Sequence, residues 1–575
     1  MPSRYQTKRA RLRFAYALRT LIKRGYSARD FRADLGAGAT LGIVALPLSM
    51  ALAIASGAPP QHGLFTAIVG GIIIALTGGS MHSVSGPTAA FVVLLAPITA
   101  NYGLAGLMLA SMMAGVILML MSVLRFGQLL EFIPYPVTTG FTAGIGVVIA
   151  ILQLGDLFGL GTLQGERIWE RLYDLGSRFP MMSFADLGVG LFTLAALLIF
   201  PSFTKRIPAP LFGLLAASLV AFALAEFFDL HAATIGSRFG GIPAELPKLV
   251  APWALSGDTL SLATLLDLLP SSLAIAALGA IESLLCAVVS DGMTGSQHDP
   301  DSELMGLGLG NFIVPFFGGF AATGAIARTA TGIRAGGRTL LATVIHSIFL
   351  LFAMLLFAPA LGYVPMAAMA ALLLTVAWNM SDVPHFIRML RISPRNDIIV
   401  LLTCFSLTVI FDMVVSVSVG VVLAALLFMQ RMVEITGASF REPKSGDAKD
   451  GATERGVVHY AIAGPLFFGA AKKAMAALNV QRHGVHTVIM DLKDVPTIDA
   501  TGMVALESSV ERLNQDGIRV ILTNLRPEPR AFVERARLVR DDGMVSFGSE
   551  DEGDQPLPYD AGSVAEEDEP LRPHY

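Results

Sequence analysis

The sequence predicts a polytopic α-helical membrane protein of fourteen spans, arranged as a 7+7 inverted repeat and followed by a cytoplasmic α/β domain. Three observations predict it. Apolar blocks of roughly 18–22 residues, each long enough to cross about 30 Å of hydrocarbon, recur between residues 37 and 432. Two of these blocks break in the same way, 240 residues apart. Beyond a polar stretch at 436–456, short β-like runs alternate with segments of helical spacing.

Composition bounds the class. The chain is 54% hydrophobic and only 15% charged, against about 25% charged in soluble domains. Residues 1–36 are polar and basic, with no apolar run ahead of a small-residue cleavage site, so no cleavable signal is expected. Cys286 and Cys404 both sit inside apolar segments and read as small core residues, with neither a disulfide framework nor a metal site. No G-x-x-x-x-G-K-[ST] loop occurs, which argues against ATP-driven transport by this chain. No cofactor and no nucleic-acid partner are expected.

In chain order, the expected spans are 37–57, 61–79, 86–99, 104–124, 128–153, 184–203, 209–228, 269–290, 303–320, 325–337, 339–359, 363–380, 396–412 and 413–432. Loop Lys and Arg orient them. The arm 1–36 carries Arg4, Lys8, Arg9, Arg11, Arg13, Arg19, Lys23, Arg24, Arg29 and Arg32 and is expected in the cytoplasm. Fourteen spans then place Arg125, Lys205, Arg206, Arg334, Arg338, Arg388, Arg391, Arg395 and Arg431 on that side as well. The connection 154–183 fits poorly, because it holds Arg167, Arg171 and Arg178 on the outer side; a surface helix would tolerate them. Seven spans per repeat invert the second repeat. The expected domains are the arm 1–36, a transmembrane domain 37–432 (repeats 37–228 and 269–432), a linker 433–456, an α/β domain 457–547 and an acidic, disordered tail 548–575.

The paired breaks read ALTGGSMHSVSGPTAAF (75–91) and PFFGGFAATGAIARTAT (315–331). A shift of 240 superposes Gly78 on Gly318, Gly79 on Gly319 and Ala90 on Ala330. Interrupted helices at matching places in two halves of a membrane protein point to a transporter's substrate site. Ser85-Gly86-Pro87-Thr88 suits a helix start, with Pro87 in the first turn and Ser85 or Thr88 as cap, and Thr323-Gly324 does the same in the second half. Two helix N-termini facing each other, with free N–H groups, suit an anion.

Five charged or polar groups stand out in the membrane domain. Arg328, which the shift aligns with Thr88, either supplies positive charge to the anion or serves a structural role, capping carbonyls or pairing with Glu282. Glu282, deep in LAIAALGAIESLLCAVV, either binds a proton or sodium ion that travels with the substrate, or forms a permanent pair with Arg328. His346 reads as a hydrogen-bonded core histidine, His82 as lining an inner vestibule, and Asp412 as a turn cap. In the α/β domain, IDATG (498–502) places Asp499 and Thr501 at a strand-to-helix turn, where N-capping explains the residue types and a phosphoacceptor Thr501 is the functional alternative.

Together, PLSMALAIASGAPPQHGLF (47–65), SGPTAAF, GAIARTATG, GAIESLL, GPLFFGAA (464–471) and IDATG resemble the sulfate permease (SulP) anion transporter family, and the last two resemble its C-terminal STAS domain. The resemblance covers residues 30–545. It implies core and gate domains, an anion site between the third and tenth spans, elevator-type alternation and a homodimer. Many members carry Gln two residues before the first span's Met and Tyr two after it; here these are Leu48 and Leu52. That departure, with ESLLCAVVSDGMTG (282–295) and AALLLTVAWNMS (370–381), resembles the bacterial C4-dicarboxylate branch and implies succinate, fumarate or aspartate uptake with protons.

The expected site is therefore Ser85, Thr88, Ala89, Ala90, Phe91, Ala327, Arg328 and Thr329 for the anion, Glu282 for the coupled ion, Leu48 and Ser49 for the first-span pocket, and Thr501 as a possible STAS phosphoacceptor. The expected setting is a bacterial inner membrane with both termini cytoplasmic, and the expected partners are a small anion, the lipid bilayer, a second copy of the chain and a cytoplasmic protein on the STAS domain. Two other readings stand beside this one: a sodium- or proton-coupled bicarbonate or sulfate importer, and a membrane-anchored STAS regulator without transport.

Overall fold

The computed structural model describes residues 14–130, 134–165, 167–204, 208–253, 261–411, 413–435, 437–441, 456–476, 485–539 and 542–548. Expectations for Arg4, Lys8, Arg9, Arg11, Arg13, Lys205, Arg206, Asp412 and the tail beyond Gly548 lie outside these residues. The chain divides into two compact units, Met1–Ala424 and Ala425–Tyr575.

Ten helices among the described residues are long and apolar enough to cross a membrane. Span 1 is Ala28–Ala55 and span 2 is Pro60–Thr77. The helix Ala89–Val123 holds the expected spans 3 and 4, which part at Gly103, where φ is 64° and the backbone leaves helical geometry. Spans 5 to 8 are Tyr135–Leu157, Phe184–Phe203, Ala209–Phe228 and Leu262–Thr294. Span 11 is Leu341–Leu361. Span 12, Met366–Ser381, is followed after Asp382 by a ten-residue helix, Val383–Ile392, that the sequence reading did not anticipate. Three shorter helices, Pro300–Ile313, Ile326–Arg334 and Arg395–Ile410, stand at spans 9, 10 and 13, and Met413–Ile435 at span 14.

Two groups of helices pack within the first unit. Spans 1–4 pack with spans 8–11, and spans 5–7 pack with spans 12 and 13. Small residues set both. A Cβ on Gly115 of span 4 would lie 2.7 Å from the Gly308 carbonyl oxygen of span 9, and one on Gly308 would lie 2.7 Å from the Met119 backbone nitrogen. In the other group Gly140 and Gly144 of span 5 approach Leu401, Cys404 and Thr408 of span 13. Hydrocarbon gives no hydrophobic drive for helices to associate, so such close backbone approach carries the packing.

The misfit connection 154–183 does contain a surface helix, Ile168–Arg178. Its arginines are engaged locally: Arg171 donates to the Gly165 carbonyl and Arg178 to Asp174 at 3.1 Å and to the Leu160 carbonyl.

In the second unit, strands Gly437–Arg441, Val457–Ala463, Thr487–Asp494, Arg519–Thr523 and Val545–Gly548 form a five-stranded sheet in sequence order, antiparallel at the first pair and parallel thereafter. The expected linker 433–456 is corrected by this sheet. Residues up to Ile435 are helix and Gly437–Arg441 is an edge strand, because the GASFR run can pair with Val457–Ala463 despite its polar surroundings.

A side chain at position 308 meets backbone that cannot yield, so Gly308→Val should cost about 1–3 kcal/mol and lower the apparent thermal midpoint of the detergent-solubilised protein by several degrees. An unchanged midpoint would show that spans 4 and 9 do not approach as described.

Candidate anion site

The two interrupted helices meet. Ser85–Gly86 (β1) pairs antiparallel with Thr323–Gly324 (β2), Ser85 opposite Gly324 and Gly86 opposite Thr323. Antiparallel pairing is what an inverted repeat requires at its crossing point. It equates Ser85 with Thr323, a shift of 238 rather than 240. The cause is the link from glycine pair to strand, which is five residues in the first half (80–84) and three in the second (320–322).

The helix starts correct the capping expectation. Span 3 begins at Ala89 with Thr88 as N-cap, and span 10 begins at Ile326 with Ala325 as N-cap; neither start has a side-chain cap. Pro87 therefore precedes the cap, and Ser85 is in the strand. The Thr88 hydroxyl turns instead to Glu282 Oε2 at 3.2 Å. By helix position Arg328 corresponds to Phe91, the third residue of its helix, rather than to Thr88. Both are buried, Phe91 fully and Arg328 at 3% exposure.

Uncapped starts leave backbone N–H groups at Ala89, Ala90, Phe91, Ile326, Ala327 and Arg328 at the positive ends of two helices. The span 10 start is open: Ile326 is 42% exposed and Ala327 is exposed. Arg328 lies behind it, Nη2 donating to the Pro87 carbonyl at 2.5 Å, with Nε and Nη1 without a partner. It therefore crosses to the other half just beyond β1, and no hydrogen bond joins it to Glu282. Glu282 itself is half-buried on span 8. The arrangement offers an anion two helix N-termini, a buried guanidinium and an adjacent carboxylate able to carry a cation.

Other expected site residues fall elsewhere. Thr329 is fully buried, accepting from the Val84 backbone at 2.9 Å and lying 3.1 Å from Cys286 Sγ, so its hydroxyl belongs to the scaffold. The Phe91 ring packs against Gly279 of span 8. Leu48 is half-buried on span 1, which packs against spans 3 and 10; Ser49 is buried, its hydroxyl unpartnered. His346 is fully buried in span 11, a core histidine with its ring beside the Thr343 backbone. His82 lines a cavity of about 620 Å³ with Arg24, Ser296 and Arg338. Thr501 is exposed in the first turn of Ala500–Gln515, while Asp499 caps that helix through the Gly502 N–H at 2.6 Å.

The sequence reading missed three supports. Glu303, at 1% exposure, accepts from the Gly79 and Ser80 N–H groups at 2.8 and 2.9 Å and from the Ser283 hydroxyl at 3.0 Å, tying the end of span 2 to the neighbour of Glu282. Asn311 satisfies both backbone groups of Ala322 beside β2, at 2.7 and 3.0 Å. Thr66 accepts the Phe320 N–H at 2.9 Å from a π-helical turn at Thr66–Gly70. A polar residue within an apolar span was the available signal for Asn311.

Residues 31–403 match the model of the Sulfate permease family, and 450–545 match the STAS domain. The chain belongs to the sulfate permease family. It is 37% identical to the putative sulfate transporter YvdB of Bacillus subtilis, covering 91% of this chain and 97% of that one. It is 29% identical to the bicarbonate transporter BicA of Picosynechococcus sp., covering 89% and 92%. Its fold matches the structure of murine Solute Carrier 26 family member A9, an anion transporter in the inward-facing state, with a TM-score of 0.80, 19% identity and coverage of 94% and 95%. The transmembrane domain of a cyanobacterial BicA matches with a TM-score of 0.60, 29% identity and coverage of 69% of this chain and 98% of that one. The protein is thus a multi-pass membrane anion transporter with a STAS domain, and not an enzyme.

Removing the guanidinium frees the Pro87 carbonyl and takes positive charge from behind the site. A hydrogen bond to a charged group contributes about 1.5–3 kcal/mol, so Arg328→Ala should weaken anion binding by at least about tenfold in a calorimetric titration. Unchanged affinity would leave Arg328 a purely structural residue.

Proposed function

We propose that this transporter imports C4-dicarboxylate anions such as succinate, fumarate or aspartate together with protons, from the bacterial inner membrane with both termini cytoplasmic. The observation that carries the coupling is the Thr88–Glu282 hydrogen bond, which puts a half-buried carboxylate against the cap of the span 3 helix start. A proton on Glu282 removes its repulsion of a carboxylate at the helix ends, so anion and proton favour each other's binding. Substrate binding falls to the backbone at Ala89–Phe91 and Ala327–Arg328.

The substrate class is supported by the walls of the site. Ile326, the first residue of the span 10 helix, presents exposed hydrocarbon beside the N–H groups. That suits an anion with a carbon backbone better than a tetrahedral oxyanion, which needs donors on all sides. Bicarbonate or sulfate import is the second reading, favoured by what the relatives are named for.

We assign alternating access to displacement of the group built from spans 1–4 and 8–11 against the other group. The outer crossover after span 7 fits this use. Its first part is fixed to the second group: Ala233 donates to Asp186 at 3.0 Å, Thr234 bridges Pro365, and Arg238 pairs with Asp156 at 2.5 Å. Its later part is fixed to span 9's end, Val250 donating to the Phe316 carbonyl at 2.7 Å. Between them Gly240 and Gly241 have φ of 75° and 99° with open space around them, a joint that side chains would stiffen.

Liposomes containing the purified protein should accumulate labelled succinate when the outside is acidified. Accumulation of bicarbonate or sulfate without competition by succinate would replace the substrate. Glu282→Gln should abolish gradient-driven accumulation while leaving exchange of internal for external anion; full accumulation in that variant would remove Glu282 from coupling.

A further inference from the structure

The helix Val383–Ile392 carries an unassigned surface. Its inner side is docked on the second group of spans. Phe386 packs on Phe405 of span 13 with ring centroids 5.3 Å apart, and His385 Nε2 lies 2.9 Å from the Tyr135 hydroxyl at the start of span 5. Its outer side consists of Pro384, Ile387, Arg388, Arg391 and Ile392, all exposed. These lie at spacings of three and four, one helix face. At 100° per residue the two arginines occupy the middle of that face and the two isoleucines its edges. Ile387 is 42% and Ile392 65% exposed. Arg395, also exposed, opens the next span, where the helix dipole disfavours a cation.

Among the described residues, none of the three arginine side chains has a hydrogen bond or an ion pair. The acidic residues nearest in sequence, Asp382 before the helix and Asp397 in the first turn of span 13, do not pair with them. Asp382 is left-handed, with φ of 37°, so the chain breaks from span 12 before this helix begins. An arginine ridge without counter-charge, flanked by isoleucines and sitting between two membrane spans, is complementary to a layer that is anionic above and hydrocarbon below.

We propose that this face binds the headgroups of anionic phospholipids, with Arg388, Arg391 and Arg395 on the phosphates and Ile387 and Ile392 in the acyl boundary. The bound lipid holds the group of spans 5–7, 12 and 13 at a set depth in the bilayer. This inference is independent of which anion is carried. A free phosphate would use the arginines alone and leave the isoleucines unexplained.

Trp378, 64% exposed and one turn from the end of span 12, is a reporter beside the site. The other two tryptophans are Trp169 and Trp253. In the full chain carrying Trp169→Phe and Trp253→Phe, brominated phosphatidylglycerol should quench Trp378 at far lower mole fraction than brominated phosphatidylcholine. Each arginine near an anionic surface contributes about fivefold, so R388Q/R391Q/R395Q should weaken the phosphatidylglycerol preference by roughly a hundredfold. R391Q alone should weaken it about fivefold, which keeps the test open if the triple variant does not fold, and R388K/R391K/R395K should retain it. Added inorganic phosphate should leave the quenching unchanged. Equal quenching by the two lipids, an unchanged preference in R391Q, or displacement by inorganic phosphate would overturn the proposal.

Discussion

Everything at the centre of this protein depends on four residues of extended backbone pairing with each other inside the membrane domain. Ser85–Gly86 and Thr323–Gly324 cannot leave their N–H and C=O groups unpaired where no water reaches, because each would cost several kcal/mol. Pairing solves this only if the two halves arrive antiparallel. The inverted repeat is thus tied to the site by hydrogen bonding. Once paired, the strands oblige both following helices to start in the interior, and those starts are what an anion can use.

The supports are asymmetric, and this has consequences for chemistry. In the first half Glu303 gathers the N–H groups of Gly79 and Ser80; in the second Asn311 and Thr66 take those of Ala322 and Phe320 without charge. At the third helix residue the first half has Phe91, packed on Gly279, and the second has Arg328, reaching the Pro87 carbonyl. One half therefore supplies bulk and the other charge. Glu282, on neither half-helix, is held near by the Thr88 hydroxyl, and the proposed coupling rests on that placement.

Much of this was legible in the sequence, and the reasons for the rest are physical. The sequence places spans 6 and 7 at their observed limits because hydrophobicity changes sharply at Phe184, Phe203, Ala209 and Phe228. The breaks were legible because Gly-Gly and Ser-Gly-Pro interrupt apolar runs. The register across them was not, since a two-residue difference in an extended link leaves no hydrophobic signature. Thr329 resembled Thr88 as a small polar residue near a helix start, but one lies a turn inside and packs against Val84 while the other faces Glu282. Glu303 escaped notice because it lies at the edge of an expected span, where a carboxylate usually meets water. The helix Val383–Ile392 falls within an expected connection between spans, where Arg388 and Arg391 signal orientation rather than a helix.

The central claim is that the open start of span 10 holds the transported anion. The most direct measurement is the rate at which a charged, membrane-impermeant thiol reagent labels Ala327→Cys. The native Cys286 and Cys404 are buried and give little background. If the anion sits on the span 10 N-terminus, succinate should slow labelling at 327 in a saturable way, at concentrations matching its transport. Labelling that proceeds at the same rate with and without any transported anion would place the substrate elsewhere.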